Sequence, residues 1–316
     1  MTLKQIQELA IQLGIKNDLR GIAKVKKNLA RIKEKYAKLS AEQKLEFDEV
    51  KLTNPYTDSR ILNDTGKKAI KKVMAGIDIE GSELLLAKQM GDIDLVIAHH
   101  PEGRALADLH DVMSLQAEVL SMYGVPINIA ESVIKPRISE VSRGVSPINH
   151  NRAIDMAKAL KLDFMCCHTI QDNMSATFVI NFLKKNKAKI DTVGDILTLL
   201  KTIPEYKEAI KHGAGPRLFV GYDDASPGKI VVTEFTGGTN GSKDMYEKMS
   251  QAGIGTIIGM HMAEEHRKEA EKHHINVVIA GHMSSDSLGM NLFLDQLEKR
   301  GIKVVPISGL IRVQRK

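Results

Sequence analysis

Tryptophan is absent and aromatic residues make up only 4% of the 316 residues, so platforms for stacking unpaired bases are poorly supplied. Cysteine is nearly as scarce: the only two are neighbours, Cys166 and Cys167. Adjacent cysteines seldom bridge each other and a disulfide framework needs more of them, which points to a reducing compartment. No apolar run approaches the ~20 residues that a membrane helix needs. The opening stretch, Met1 to Gly14, is amphipathic, without a continuous apolar core or a small-residue cleavage site, and does not read as a secretory signal. A soluble, cytoplasmic protein with no membrane partner is expected. What is present is ordinary globular composition, 43% hydrophobic and 27% charged. The chain is long enough for one large or two modest domains without covalent staples.

The formal charge is +6, unevenly spread. Residues 1–72 hold about 17 basic and about 9 acidic side chains, which leaves the remainder slightly acidic. A solvated lysine-rich helical face is the simplest account of that bias. Contact with nucleic acid, an acidic partner or a neighbouring subunit is the functional alternative.

Residues 2–50 read as helix, with Leu3, Ile6, Leu9, Ala10 and Leu13 at helical spacing and Gly14 as a stop. Ser40 with Gln43 is a capping-box pair opening a third helix, and Asn54-Pro55 breaks the pattern. We therefore expect a basic helical extension over 1–66 and a second domain over 67–316. From about Lys68 short apolar strands alternate with helices: strands at 73–79, 94–100, 125–130, 163–168, 229–235, 255–261, 276–282 and 303–308. Alternation with near-continuous apolar strands predicts an α/β fold of mainly parallel sheet flanked by helices, preceded by an all-helical extension.

Four of those strands end in histidine: Asp94 to His100, Asp163 to His168, Gly255 to His261 and Asn276 to His282. Parallel strands open their carboxyl ends toward one edge, where ligands gather. If the four share one sheet and one direction, His99, His100, His168, His261 and His282 converge on one crevice. Aspartates follow at a matched distance, Asp172 four residues after His168 and Asp286 four after His282. Positions i and i+4 on a first helical turn share a face, so nitrogen and oxygen ligands come together, as zinc, manganese or iron would use. A lone histidine after a strand is usually structural; four of them with two matched spacings point to a metal site. His110, His150, His212, His266, His273 and His274 fall on helices or loops and read mostly as surface residues. Arg104, Asp78, Glu131 and Arg217 have no assigned place, and any of them could face the crevice.

These residues resemble the Nif-three-like family, also labelled GTP cyclohydrolase I type 2 homologs. Four segments carry the resemblance: Asp94 to Pro101 with its double histidine, His168 to Asp172, the glycine-rich Thr236 to Ser242, and Gly281 to Asp286. It covers about residues 70–316 and implies two divalent metals held by His99, His100, Asp172, His282 and Asp286. It also implies an α/β core and a ring-like homohexamer. Asp286 stands where the family motif normally has glutamate, and Ile258-Gly259-Met260 where Thr-Gly-Glu is frequent.

A two-metal site is hydrolytic machinery. The expectation is a metal-dependent hydrolase of a small nucleotide-like or phosphorylated substrate, with His168 beside the ligands as a catalytic proton shuttle. The loop Thr236 to Ser242 either offers N–H groups to a phosphate or is a turn that needs glycine. The alternative is a non-catalytic metal-binding regulatory or assembly factor, its basic extension contacting a partner protein or nucleic acid. Packing of residues 1–52 between subunits suits their apolar stripes better than nucleic-acid binding.

Overall fold

Strands that are apolar on both faces need a helical layer on each side, and the computed structural model, which describes residues 1–315, supplies five layers. Helices α1 (Leu3–Lys16), α2 (Ile22–Ala37) and α3 (Ala41–Glu46) open the chain, followed by β1 (Ser59–Asn63) and β2 (Lys72–Gly76). Next come α4 (Gly81–Met90), β3 (Leu95–Ala98), the short α5 (Arg104–Ala107), α6 (Ser114–Met122), α7 (Ile127–Val145), α8 (Arg152–Leu160) and β4 (Asp163–Cys167). Three helices follow, α9 (Thr169–Lys185), α10 (Val193–Leu200) and α11 (Pro204–Lys211), then β5 (Arg217–Val220) and β6 (Lys229–Val232). The last part alternates α12 (Met245–Gln251), β7 (Ile254–Gly259), α13 (Glu264–Lys272), β8 (Asn276–Ile279), α14 (His282–Glu298) and β9 (Lys303–Ile307).

The strands form two sheets, not one. A five-stranded sheet runs β1-β4-β3-β2-β9 and a four-stranded sheet β5-β8-β7-β6. Only the edge strands β1 and β5 are antiparallel to their neighbours. Alternation along each strand assigns its two faces. On β3, Val96 and Ala98 meet Leu84 of α4 and Ala157 of α8 on the outside. Leu95 and Ile97 point inward to Ile6 of α1 and Phe293 of α14. On β8, Val277 faces Ala117 and Met249 outside, while Val278 faces Val179 of α9 and Leu288 of α14. Thus α9 and α14 lie between the sheets and are buried on nearly every side. No helix is long and apolar enough to cross a membrane, among the described residues.

Several local expectations change. Residues 125–130 are not a strand but the entry to α7, whose Ala130, Ile134 and Val141 are buried at helical spacing. Pro126 caps that helix with φ −54°, and Pro136 is carried inside it; a run of six residues was too short to separate the two periods. Ser59–Asn63, inside the segment expected to be helical, is β1, fixed by pairing with β4 rather than by local pattern. Gly14 does not end α1; a Cβ there would lie 2.8 Å from the Tyr56 ring and 2.9 Å from Ile170, so the glycine is a point of close packing. The capping box of Ser40 and Gln43 forms as expected. Cys166 and Cys167 are buried in the outer and inner clusters respectively, on opposite faces of β4.

The tightest contact in the middle layer is where α14 crosses α9 at Gly289. A Cβ there would collide with the Gln171 carbonyl, whose carbon would be 2.8 Å away. Gly289→Ala should destabilise the protein by about 1–3 kcal/mol through overpacking. Gly144→Ala, in an open stretch of α7, should be neutral or stabilising by up to ~1 kcal/mol. Urea denaturation of both variants checks the pair; equal midpoints would contradict the assigned crossing.

Candidate metal centre

Register decides which side chains reach the sheet edges. In the larger sheet Gly76 pairs with Ala98 and Ala98 with Cys166, so Asp78, His99, His100 and His168 emerge side by side. In the smaller sheet Gly259 pairs with Ile279, and His261 and His282 emerge just beyond. The carboxyl edges of the two sheets face each other: the His100 and His282 rings are centred 5.4 Å apart, those of His261 and His282 4.8 Å apart. The histidines therefore converge from two sheets rather than one. Asp172 sits on the first turn of α9, and Asp286 opens the second turn of α14. His168 Nε2 is 3.7 Å from Asp172 and His282 Nε2 is 3.5 Å from Asp286, as the matched i, i+4 spacing implies.

Three of the imidazoles are held from behind in the same way. His99 Nδ1–H donates to Gln171 Oε1 at 2.8 Å, His100 Nδ1–H to Asp78 Oδ1 at 2.6 Å, and His168 Nδ1–H to Asp58 Oδ2 at 2.9 Å. An oxygen behind each Nδ1 orients the ring and leaves Nε2 for the centre. His99 Nε2 lies 3.4 Å from Asp172 Oδ1 and 3.4 Å from Asp286 Oδ1, and His100 Nε2 is 3.6 Å from Asp286 Oδ2. These gaps are longer than a good hydrogen bond. They match the edge of roughly 3.3–3.6 Å between two tetrahedral ligands that share an ion at about 2.0–2.2 Å.

The unpaired atoms tell the same story. His99 Nε2, Asp172 Oδ1 and both carboxylate oxygens of Asp286 are buried without a hydrogen-bond partner. Buried polar atoms rarely stay orphaned, and an uncompensated buried charge is costly. Among the described residues, three sets bring their ligand atoms within 4.8 Å of one another: His99-His100-His168, His100-His282-Asp286 and His99-Asp172-Asp286. These histidines and aspartates could hold a metal ion, and His282, with a side chain 40% exposed, leaves the way in.

Without a cation other than protons, the histidines take that role. Burial alone would depress the His99 imidazolium, but Asp286 and Asp172 outweigh it and hold its pKa well above the ordinary value. His100 is likewise raised to about 9 against its burial, by Asp286 and Asp78. Burial would push the Asp286 carboxyl up; His99, His100 and His282 instead hold it far below the usual range. His261 falls outside the ligand sets, and burial beside His282 lowers it to about 4, so it stays neutral.

Sequence reasoning missed the supporting oxygens. Asp58 is fully buried, fixed by Thr169 Oγ1 at 2.6 Å, and reaches His168 only because β1 pairs with β4. Gln171 belongs to the same supporting set, as does Asp78, one of the unplaced residues that could face the crevice. His266, expected at the surface, is buried against Tyr246. Glu234 was also unmarked; burial raises its carboxyl to about 7, and it occupies a left-handed φ of 57°. It lines a small cavity with Asp172, Thr236, Gly238, Thr239 and His261. The loop Thr236 to Ser242 is clamped through its carbonyls: Gln116 Nε2 donates to Gly237 O (2.8 Å) and Thr239 O (2.6 Å), and Arg137 to Asn240 O (3.1 Å). Helix α12 starts beyond it at Met245, so the loop is not a helix N-terminus.

The chain is similar to a NIF3 superfamily protein from Sphaerobacter thermophilus, at 30% identity and a TM-score of 0.74, over 80% of this chain and 92% of that one. Reduced HcgD from Methanocaldococcus jannaschii is similar at 15% identity and a TM-score of 0.48, over 85% and 97% of the two chains. A Bacillus cereus protein related to NIF3 is similar at 11% identity and a TM-score of 0.44, over 82% and 92%. No family model matches the chain, and neither does any curated protein.

The raised histidines set a pH dependence for chelator-treated protein. A folded pKa above the unfolded value of about 6.5 gives stability that is complete below 6.5 and lost as pH rises through about 9. The depressed Asp286 gives stability present above about 4 and lost only in stronger acid. Melting temperature of the metal-free protein should therefore fall between about pH 7 and 9.5, and His100→Ala should flatten the slope. A flat wild-type profile over that interval would contradict the imidazolium–carboxylate pairing.

Proposed function

The chain belongs to the NIF3 superfamily, and we propose that it is a metal-dependent hydrolase of a small nucleotide-like or phosphorylated substrate, using two divalent ions. The observation that carries this reading is the division of Asp286. Its Oδ1 faces His99, while its Oδ2 faces His100 at 3.6 Å and His282 at 3.5 Å. A carboxylate with its oxygens turned to different histidine sets could serve two cations at once. His99 and Asp172 would hold one ion with Asp286, and His100 and His282 the other. The mixed nitrogen and oxygen donors suit zinc, manganese or iron.

A pair of divalent ions supplies a water nucleophile at neutral pH and a clamp for charged substrate oxygens. The chain's own contribution is orientation and proton handling. Gln171, Asp78 and Asp58 fix the three rings so that each Nε2 faces inward. His168, backed by the buried Asp58, is the group we assign to taking a proton from the attacking water and passing it on. The clamped loop with Gly238 and Thr239 forms the wall against which a substrate would rest. By family resemblance the assembly is a ring-like homohexamer with its sites turned to an inner cavity.

Elemental mass spectrometry of protein purified without chelator should find about two metal equivalents per chain, lost in Asp286→Asn and in the His99→Ala, His282→Ala double variant. Across a panel of nucleotides and phosphoesters, His168→Ala should keep its metal and lose roughly 10²–10⁴-fold in turnover. A fully loaded wild-type protein that turns over nothing on the panel would overturn the hydrolase reading.

A further inference from the structure

Helix α2 has no part in this chemistry, yet its side chains are strongly patterned. Lys24, Lys27, Arg31, Lys35 and the C-capping Lys38 follow one another three or four residues apart, which places them on one line along the helix. Lys26 and Lys33 lie on the other exposed side, and Glu34 is the one acid of the helix. Of the five on the line all are exposed, and among the described residues only Lys24 pairs with a carboxylate, Glu118. A merely solvated helix in this same chain is built differently. On α13, Arg267 pairs with Glu264 and Glu271, and Lys272 with Glu269.

The ridge is also held in place. Val25 is fully buried, Leu29 and Ile32 line a groove with Asn54, Pro55 and Thr57, and the Tyr36 hydroxyl donates to Glu49 at 3.0 Å. Arg20 and Asn28 fasten the helix to Glu118 of α6. Of the apolar stripes that would serve packing between subunits, Val25 and, on α1, Leu3, Ile6 and Ala10 are buried inside the chain, while Leu29 and Ile32 are half-buried along the groove. Two copies meeting through the remaining face would set like charges against each other. A bilayer is a poor match too: outside the first residue, Ile22, the exposed arc offers only Ala23, Ala30 and Ala37 as apolar groups, with nothing large to insert. A regular row of cations matches a regular row of phosphates. The absence of tryptophan and the scarcity of aromatics argue against base stacking.

We infer that the outer ridge of α2 docks the phosphate backbone of nucleic acid without reading its sequence. This inference is independent of the hydrolase reading. Fluorescence anisotropy of the full-length, metal-loaded protein with labelled 20-mer duplexes of two unrelated sequences tests it. Affinity should be equal for both sequences and fall with a log–log salt slope of about −4, a loss of roughly 100–500-fold between 50 and 200 mM salt. The Lys27→Gln, Arg31→Gln, Lys35→Gln variant should bind at least about tenfold more weakly and show a slope shallower by about 2–3, with metal content unchanged. The charge-reversed Lys27→Glu, Arg31→Glu, Lys35→Glu variant should not bind. Absence of binding at 50 mM salt, or binding that survives both variants, overturns the inference. So does tighter capture by phosphatidylserine vesicles than by duplex, or self-association abolished by the same substitutions.

Discussion

Asp286 is a carboxylate with no solvent exposure and no hydrogen-bond donor of its own, and a charge in that position cannot persist uncompensated. Everything around it supplies positive charge or a place for it. Three imidazole Nε2 atoms lie within 3.4–3.6 Å. Asp172 brings a second buried carboxylate to the same Nε2 of His99, and its Oδ1 and both Asp286 oxygens have no hydrogen-bond partner. The same geometry serves a divalent cation better, because one ion can face several of these atoms at once where a proton satisfies a single pair.

That constraint reaches far into the fold. The two aspartates come from helices sandwiched between the sheets, and their separation is set by how closely α9 and α14 cross. Gly289 lies less than one turn beyond Asp286 and lets α14 come up against the backbone of Gln171. Gln171 in turn accepts from His99. A packing contact in the middle layer, a supporting hydrogen bond and a ligand position are therefore parts of one mechanical unit. The outer oxygens have the same logic. Asp58 is placed by β1, an antiparallel edge strand whose position depends entirely on its pairing with β4.

This division explains what was legible in the sequence. The strand-terminal histidines and the two i, i+4 aspartates are local patterns, each contained within seven or so residues, and all but His261, which stands beside His282, join the ligand sets. The α/β class is equally local, since it rests on alternation along the chain. Long-range features were invisible for the complementary reason. Asp58 and His168 are 110 residues apart in sequence, and no spacing rule connects them. The split into two sheets depends on which strands pair, information that a strand of four apolar residues does not carry. Residues 125–130 were misassigned because Pro126 and a short apolar run suit a strand and a helix start equally; only the later burial of Ile134 and Val141 at helical spacing separates them.

The substitution of aspartate for the glutamate of the related motif can be weighed on the same grounds. A side chain one methylene shorter loses more than 1 Å of reach, enough to open a ligand set if the backbone stayed where a glutamate needs it. Here both Asp286 oxygens already stand at ligand-edge distance from three imidazoles, so an added methylene would drive the carboxylate into the rings. Gly281, at φ 107°, turns the chain sharply into α14, and Gly289 allows the helix to settle close against α9. Both glycines flank the shortened ligand, one on each side. At this helix position the shorter side chain already reaches the imidazoles, so the aspartate is consistent with the geometry of the cluster.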